Sequence, residues 1–145
     1  MIAVDSNILV YWQMASMAEH TVAIELVSAL AGGRAQWAIP WTCIYESYRI
    51  VTHRSVFDEP LRQDDAHENI RRLIAAPTLQ LISETSRHDA VLGELLASAK
   101  AAGNMIYDAR IAAVCIENGV TELLTNDRDF GRFAKLKTRN PFKTS

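Results

Sequence analysis

A chain of 145 residues that is 49% hydrophobic can bury a full core and has the size of one domain, expected to span residues 1–145. Its formal net charge of −2 excludes the whole-molecule positive field of a general nucleic-acid binder, so an anionic partner needs a local basic patch or a bound cation. Cys43 and Cys115 lie far apart in apolar stretches and read as buried free thiols of a reducing compartment, while no leader and no membrane-length apolar run is present, so a cytoplasmic protein without a membrane partner is expected.

The first predicted element is a short buried strand, Ile2 to Val4, which ends at Asp5 and passes into a helix started by Ser6 or Asn7. Glu19 to Leu30 carries helical apolar spacing and stops at Gly32-Gly33. Trp37 to Ile39 reads as a strand closed by Pro40, and Thr42 to His53 as a helix that is apolar on most sides. Ser55 to Leu61 has the character of an ordinary surface loop. Gln63 to Ala75 is amphipathic, Leu79 to Ile82 is a strand, and Ser86 caps a helix reaching about Ala102, with Gly103 as its stop. A helix from Met105 to Asn118 and a strand from Thr121 to Thr125 complete the regular pattern. Beyond Arg128 come Arg132, Lys135, Lys137, Arg139 and Lys143, which read either as a solvated tail or as a basic patch for an anionic partner. Alternating strands and helices argue for an α/β fold, with a short central parallel sheet covered by helices on both faces.

Four acids stand where this pattern does not call for them. Asp5 interrupts an apolar run at a strand's carboxyl end, the side on which open α/β sheets bind ligands. Its alternative reading is a cap on the next helix. Glu46 shares a helical stripe with Cys43 and Ile50, with Arg49 at i+3 as the plain ion-pair partner. Asp108 lies on a face with Met105, Ile111, Ala112 and Cys115, and a buried carboxylate needs a cation or a metal. Asp127 follows the strand that ends at Thr125, in the same relation to the sheet as Asp5. Turn chemistry accounts for it equally well on its own. Asp129 is expected to cap the helical turn holding Phe130 and Phe133.

Taken together, Asp5-Ser6-Asn7, Glu46, Asp108-Ala109-Arg110-Ile111-Ala112-Ala113 and Thr125-Asn126-Asp127-Arg128-Asp129-Phe130 resemble the PIN-domain nucleases, and most of all the VapC-type toxins of bacterial toxin-antitoxin pairs. Arg49-Ile50-Val51-Thr52-His53, Gly103-Asn104 and Asn140-Pro141-Phe142 extend the resemblance over nearly the whole chain. It implies a PIN-like fold and a metal-dependent endoribonuclease. Asp5, Asp108 and Asp127 match the family's metal ligands. Glu46 matches an acid that holds a second metal or positions the attacking water. All four are the expected catalytic residues. Oxygen-only ligation suits Mg²⁺ or Mn²⁺. Thr125 and Asn7 are expected to orient the carboxylates.

The resemblance also implies tRNA or rRNA as substrate, a cognate antitoxin as inhibitor, and a homodimer. Trp37, Trp41 and Tyr45 are candidates to line a dimer or antitoxin groove, with a core or rim role as the alternative. Other readings remain at this point: a PIN nuclease of RNA processing outside toxin-antitoxin pairs, or a non-catalytic interaction module of the same fold. A phosphatase with Asp5 as nucleophile is disfavoured by Asn7, where a second aspartate would stand.

Overall fold

A computed structural model describes residues 1–143. The elements run β1 (Ile2–Val4), α1 (Ser6–Gln13), α2 (His20–Gly32), β2 (Trp37–Pro40), α3 (Trp41–Val51), α4 (Gln63–Ile74), β3 (Leu79–Ile82), α5 (His88–Ala99), α6 (Met105–Glu117), β4 (Glu122–Leu124) and β5 (Lys137–Arg139), with a 3₁₀ turn over Arg128–Arg132 before the last strand. Every strand pairing is parallel and the sheet order is β3-β2-β1-β4-β5.

That order places the site. The chain leaves β1 for β2 and β3 on one side, then crosses back to lay β4 on the other. Neighbouring connections therefore diverge at the carboxyl ends of β1 and β4, and a crevice opens there. Asp5 N–H donates to Leu124 C=O at 3.0 Å, which locks the two strand ends together.

Local chemistry explains the helices. In α4, Ala66, Ile70 and Leu73 face inward, while Asp64 and Asp65 in the first turn and Arg71 and Arg72 in the last suit the helix dipole. Helix α6 buries Ala109 and every residue from Ile111 to Cys115, so it is apolar almost all round along its second half. It ends where Gly119 takes φ +81, with Val120 N–H reaching back to Cys115 C=O and Gly119 N–H to Ile116 C=O. Helices α1 and α2 pack together, α1 also on α3, and α5 on α6. Among the described residues no helix is long and apolar enough to cross a membrane.

Several boundaries differ from the sequence reading. Helix α5 starts at His88 after Thr85 Oγ1 accepts from Arg87 N–H at 3.2 Å, so Ser86 is not its cap. It stops at Ala99 because Lys100 turns left-handed at φ +49, three residues before Gly103. The loop before Gln63 is not an ordinary surface loop, because Phe57 and Leu61 pack on a small apolar cluster of Val10, Met14, Val51 and Ala66. Part of the basic tail is not free either. It forms the edge strand β5, with Arg139 and Lys137 both paired to Glu122 and Lys135 paired to Glu94. Trp37 is buried, its Nε1 donating to Thr78 Oγ1 at 3.1 Å, so it lines no groove.

Candidate active site

Asp5 sits at the end of β1 with extended backbone and does cap α1, its Oδ1 accepting from Ser6 N–H at 2.7 Å. Capping is only part of its environment. Oδ1 also accepts from the Ser6 hydroxyl at 3.4 Å and the Cys43 thiol at 3.5 Å, while Oδ2 accepts from Thr125 Oγ1 at 2.7 Å and Asn7 Nδ2 at 3.2 Å. Five donors from α1, α3 and the residue after β4 therefore fix one carboxylate that is 4% exposed. Burial pushes its pKa up, the Thr125, Ser6 and Cys43 hydrogen bonds oppose this, and the charge of Asp127 adds to the rise.

Thr125 is the junction of this network. Its hydroxyl donates to Asp5 and accepts from Asn7 Nδ2 at 3.1 Å and from the Asp127 N–H at 3.0 Å. The turn that follows is capped by Asp127, whose Oδ1 accepts from Asp129 N–H at 2.9 Å. This reverses the expected assignment, in which Asp129 was the cap. Asp129 is instead exposed, and one carboxylate oxygen from each of Asp108, Asp127 and Asp129 lies within 4.8 Å of the others. The sequence held a signal for Asp129, namely two acids two residues apart just past a strand end, but its reading as a cap absorbed it.

Asp108 comes from the first turn of α6, whose outer side leaves apolar residues exposed, Tyr107 at 70% and Ile106 at 38%. Asp108 is half-buried, and no cation stands within ion-pair distance of it among the described residues. Its pKa is pushed up to about 6, first by burial and then by the charges of Asp127, Asp5, Asp129 and Glu46. Glu46 faces the same place from α3. Its pKa is raised by burial and by Asp5 and Asp127, against Arg49, whose Nη2 stands 4.0 Å from Oε1. That pair is largely exposed, so it holds Glu46 only weakly.

Asp5, Glu46, Asp108 and Asp127 line one cavity of about 420 Å³ at the crevice between β1 and β4. Its opposite wall is apolar, built from Val10, Met17, Ile50, Val56 and Phe57, so the loop after α3 is part of the site. Asn7 also lines it and keeps Oδ1 buried with no hydrogen-bond partner among the described residues. Two carboxylates about 4 Å apart repel by roughly 4 kcal/mol at an effective dielectric near 20. Five converging acids therefore need protons or a cation. The donors are all oxygen, which fits Mg²⁺ or Mn²⁺ rather than a thiolate- or imidazole-seeking ion. Cys43 does not alter this, because burial and the Asp5 charge push its thiol well up and keep it protonated.

Comparison with known proteins identifies the family of this fold. The family described as the PIN domain matches residues 2–136. The VapC ribonuclease Mb2897 of Mycobacterium bovis is 36% identical over 141 residues, 97% of this chain and 95% of that protein. The crystal structure of VapBC2 from Rickettsia felis superposes with a TM-score of 0.68 at 21% identity, over 97% of this chain and 98% of that one. FitAcB from Neisseria gonorrhoeae gives 0.69 at 17% identity, over 99% and 100%. The fold, the crevice at β1 and β4 and the four acids around it thus belong to a chain that is a member of the PIN domain family, most similar within it to the VapC ribonucleases.

Proposed function

We propose that this chain is a divalent-metal-dependent endoribonuclease toxin of a VapBC-type toxin-antitoxin pair, acting as a single PIN domain on phosphodiester bonds of tRNA or rRNA in the cytoplasm. The observation that carries the reading is that Asp5, Glu46, Asp108 and Asp127 line one cavity, with oxygens of Asp108, Asp127 and Asp129 within 4.8 Å of one another.

Asp5, Asp108 and Asp127 are assigned as holding Mg²⁺ or Mn²⁺, with Asp129 as an additional oxygen donor on the Asp108 and Asp127 side. Bound there, such a cation supplies Lewis acidity towards the phosphodiester and makes a water nucleophilic at neutral pH. Thr125, Ser6, Asn7 and the Cys43 thiol hold Asp5 in one orientation, so the site is ordered before it is loaded. Glu46, which lines the cavity from α3, is assigned to hold a second metal or to position the attacking water. Of these acids Asp5 is the one buried away from bulk water, at 4% exposed.

Two partners complete the reading. A cognate antitoxin is proposed as inhibitor, in line with a toxin-antitoxin complex from Klebsiella pneumoniae whose fold this chain shares. A second copy of the chain is proposed to cover the exposed Trp41 and Tyr45 of α3 and Tyr107 of α6. Trp41 and Tyr45 stack loosely, with ring centroids 6.0 Å apart. A free apolar surface of this kind suits an interface.

The test is cleavage of total cellular RNA by purified protein with Mg²⁺ or Mn²⁺, with EDTA, and with Asp5→Asn and Asp108→Asn variants that still fold. Discrete fragments lost with chelator and with either substitution support the proposal. Equal cutting by both variants overturns the metal site.

A further inference from the structure

On the far side of the acid cluster lies a second cavity, of about 320 Å³, which shares Asp108 and Asp129 with it and is otherwise lined by Lys100, Asn104, Met105 and Arg132. Many exposed cations of this chain rest on a carboxylate, as Arg71 and Arg72 do on Glu68, and Arg110 on Glu84. Lys100 and Arg132 do not. Among the described residues neither forms an ion pair, although two acids line the same cavity. Arg132 Nη1 donates only to the Met105 thioether at 3.4 Å, a weak acceptor that leaves most of the guanidinium fork unspent. Lys100 is presented by the left-handed residue that ends α5, the one non-glycine with positive φ among the described residues.

Two unpaired cations beside an acidic centre have a use if the ligand is a chain of phosphates. Resting on the nuclease reading above, we propose that Lys100 and Arg132 form a phosphate subsite, which holds the phosphate next to the one at the acid cluster on a single RNA strand. Arg132 supplies a planar fork matched to two phosphate oxygens and Lys100 a point charge. Strands are commonly tracked by such positive grooves beside a reactive centre. The subsite also gives the acidic site a way to attract a polyanion before the cation at the acids is engaged.

The test is binding of a 5′-labelled mixed-sequence hexaribonucleotide by anisotropy, from low to high KCl, with Ca²⁺ in place of Mg²⁺. The parent is compared with Lys100→Asn/Arg132→Gln. Asparagine tolerates the left-handed backbone at position 100, so the variant keeps the helix end. Its melting temperature and its Mn²⁺ affinity by calorimetry serve as controls. The expected result is a salt slope shallower by about 0.7, the value for one phosphate contact on a single strand, with Mn²⁺ affinity equal or higher. An unchanged slope, in a parent that still cuts RNA, overturns the subsite and leaves the nuclease reading standing. The same holds if the slope is unchanged and only antitoxin binding falls, or if Mn²⁺ binding is lost. A parent that binds Mn²⁺ but neither binds nor cuts RNA overturns both.

Discussion

The hydroxyl of Thr125 donates to Asp5 Oδ2 at 2.7 Å across 120 residues of sequence, and it is the shortest of the side-chain bonds that aim this carboxylate. Thr125→Val removes that donor while keeping the shape, and it also strips the acceptor from Asn7 Nδ2 and Asp127 N–H. Loss of a group that orients a metal ligand typically costs 10–100-fold in affinity, so calorimetric Mn²⁺ titration of Thr125→Val is expected to weaken by about that factor. Thr125→Ser restores most of it. Equal affinity for all three proteins would show that Asp5 needs no aiming.

The raised pKa of Asp108 fixes a pH dependence. Its folded-state value is about 6 against 3.8 for the unfolded group, so the folded protein binds the proton more tightly. Its contribution to stability is fully present below 3.8 and is lost as pH rises through about 6. The metal-free protein should therefore lose melting temperature between those limits relative to Asp108→Asn. Mg²⁺ should reverse that loss, with affinity rising up to the same pH. A parallel pair of melting profiles would contradict this.

Glu117 is a buried carboxylate outside the site. It accepts from Thr85 N–H, and its Oε2 lies 2.7 Å from His88 Nδ1, pinning the entry of α5 to the end of α6. Glu117→Ala leaves these donors unpartnered, and a buried polar group left without its hydrogen bond costs about 1–3 kcal/mol. Urea denaturation should show that loss. Because α6 also carries Asp108, Mn²⁺ affinity should fall with it, whereas Glu117→Gln should retain the Thr85 contact and most of the stability.

The edge strand gives a control for the phosphate subsite. Lys137 and Arg139 are already committed to Glu122, so Lys137→Gln/Arg139→Gln should leave the salt slope of RNA binding unchanged. Stability should change by at most about 1 kcal/mol per exposed pair. A slope flattened as much as by Lys100→Asn/Arg132→Gln would place the RNA path over β5 instead.

The sequence is a good guide wherever a polar residue breaks an apolar run. Asp5 and Asp127 are legible because each follows a strand whose neighbours are buried, and Asp108 because it interrupts an apolar run in the helix that buries the most residues. What escapes are features decided by distant partners. Strand β5, Lys-Thr-Arg, carries no alternating apolar signal, and it exists because Glu122 and the Leu136 anchor lie beside it. The loop at Val56 and Phe57 looks like a surface loop until α1 supplies the cluster on which it folds. Asp127 and Asp129 exchange roles because either aspartate can start the turn, and only the Thr125 hydroxyl, by fixing the Asp127 N–H, decides between them.

The pairing of the first strand with the fourth has a consequence for how the protein is made. The Leu124 carbonyl and the Thr125 hydroxyl that position Asp5 are made long after it, with 120 residues separating Asp5 from Thr125. A growing chain therefore carries Asp5 without its partners until β4 has been made. The acid-lined crevice assembles only when β4 has paired with β1.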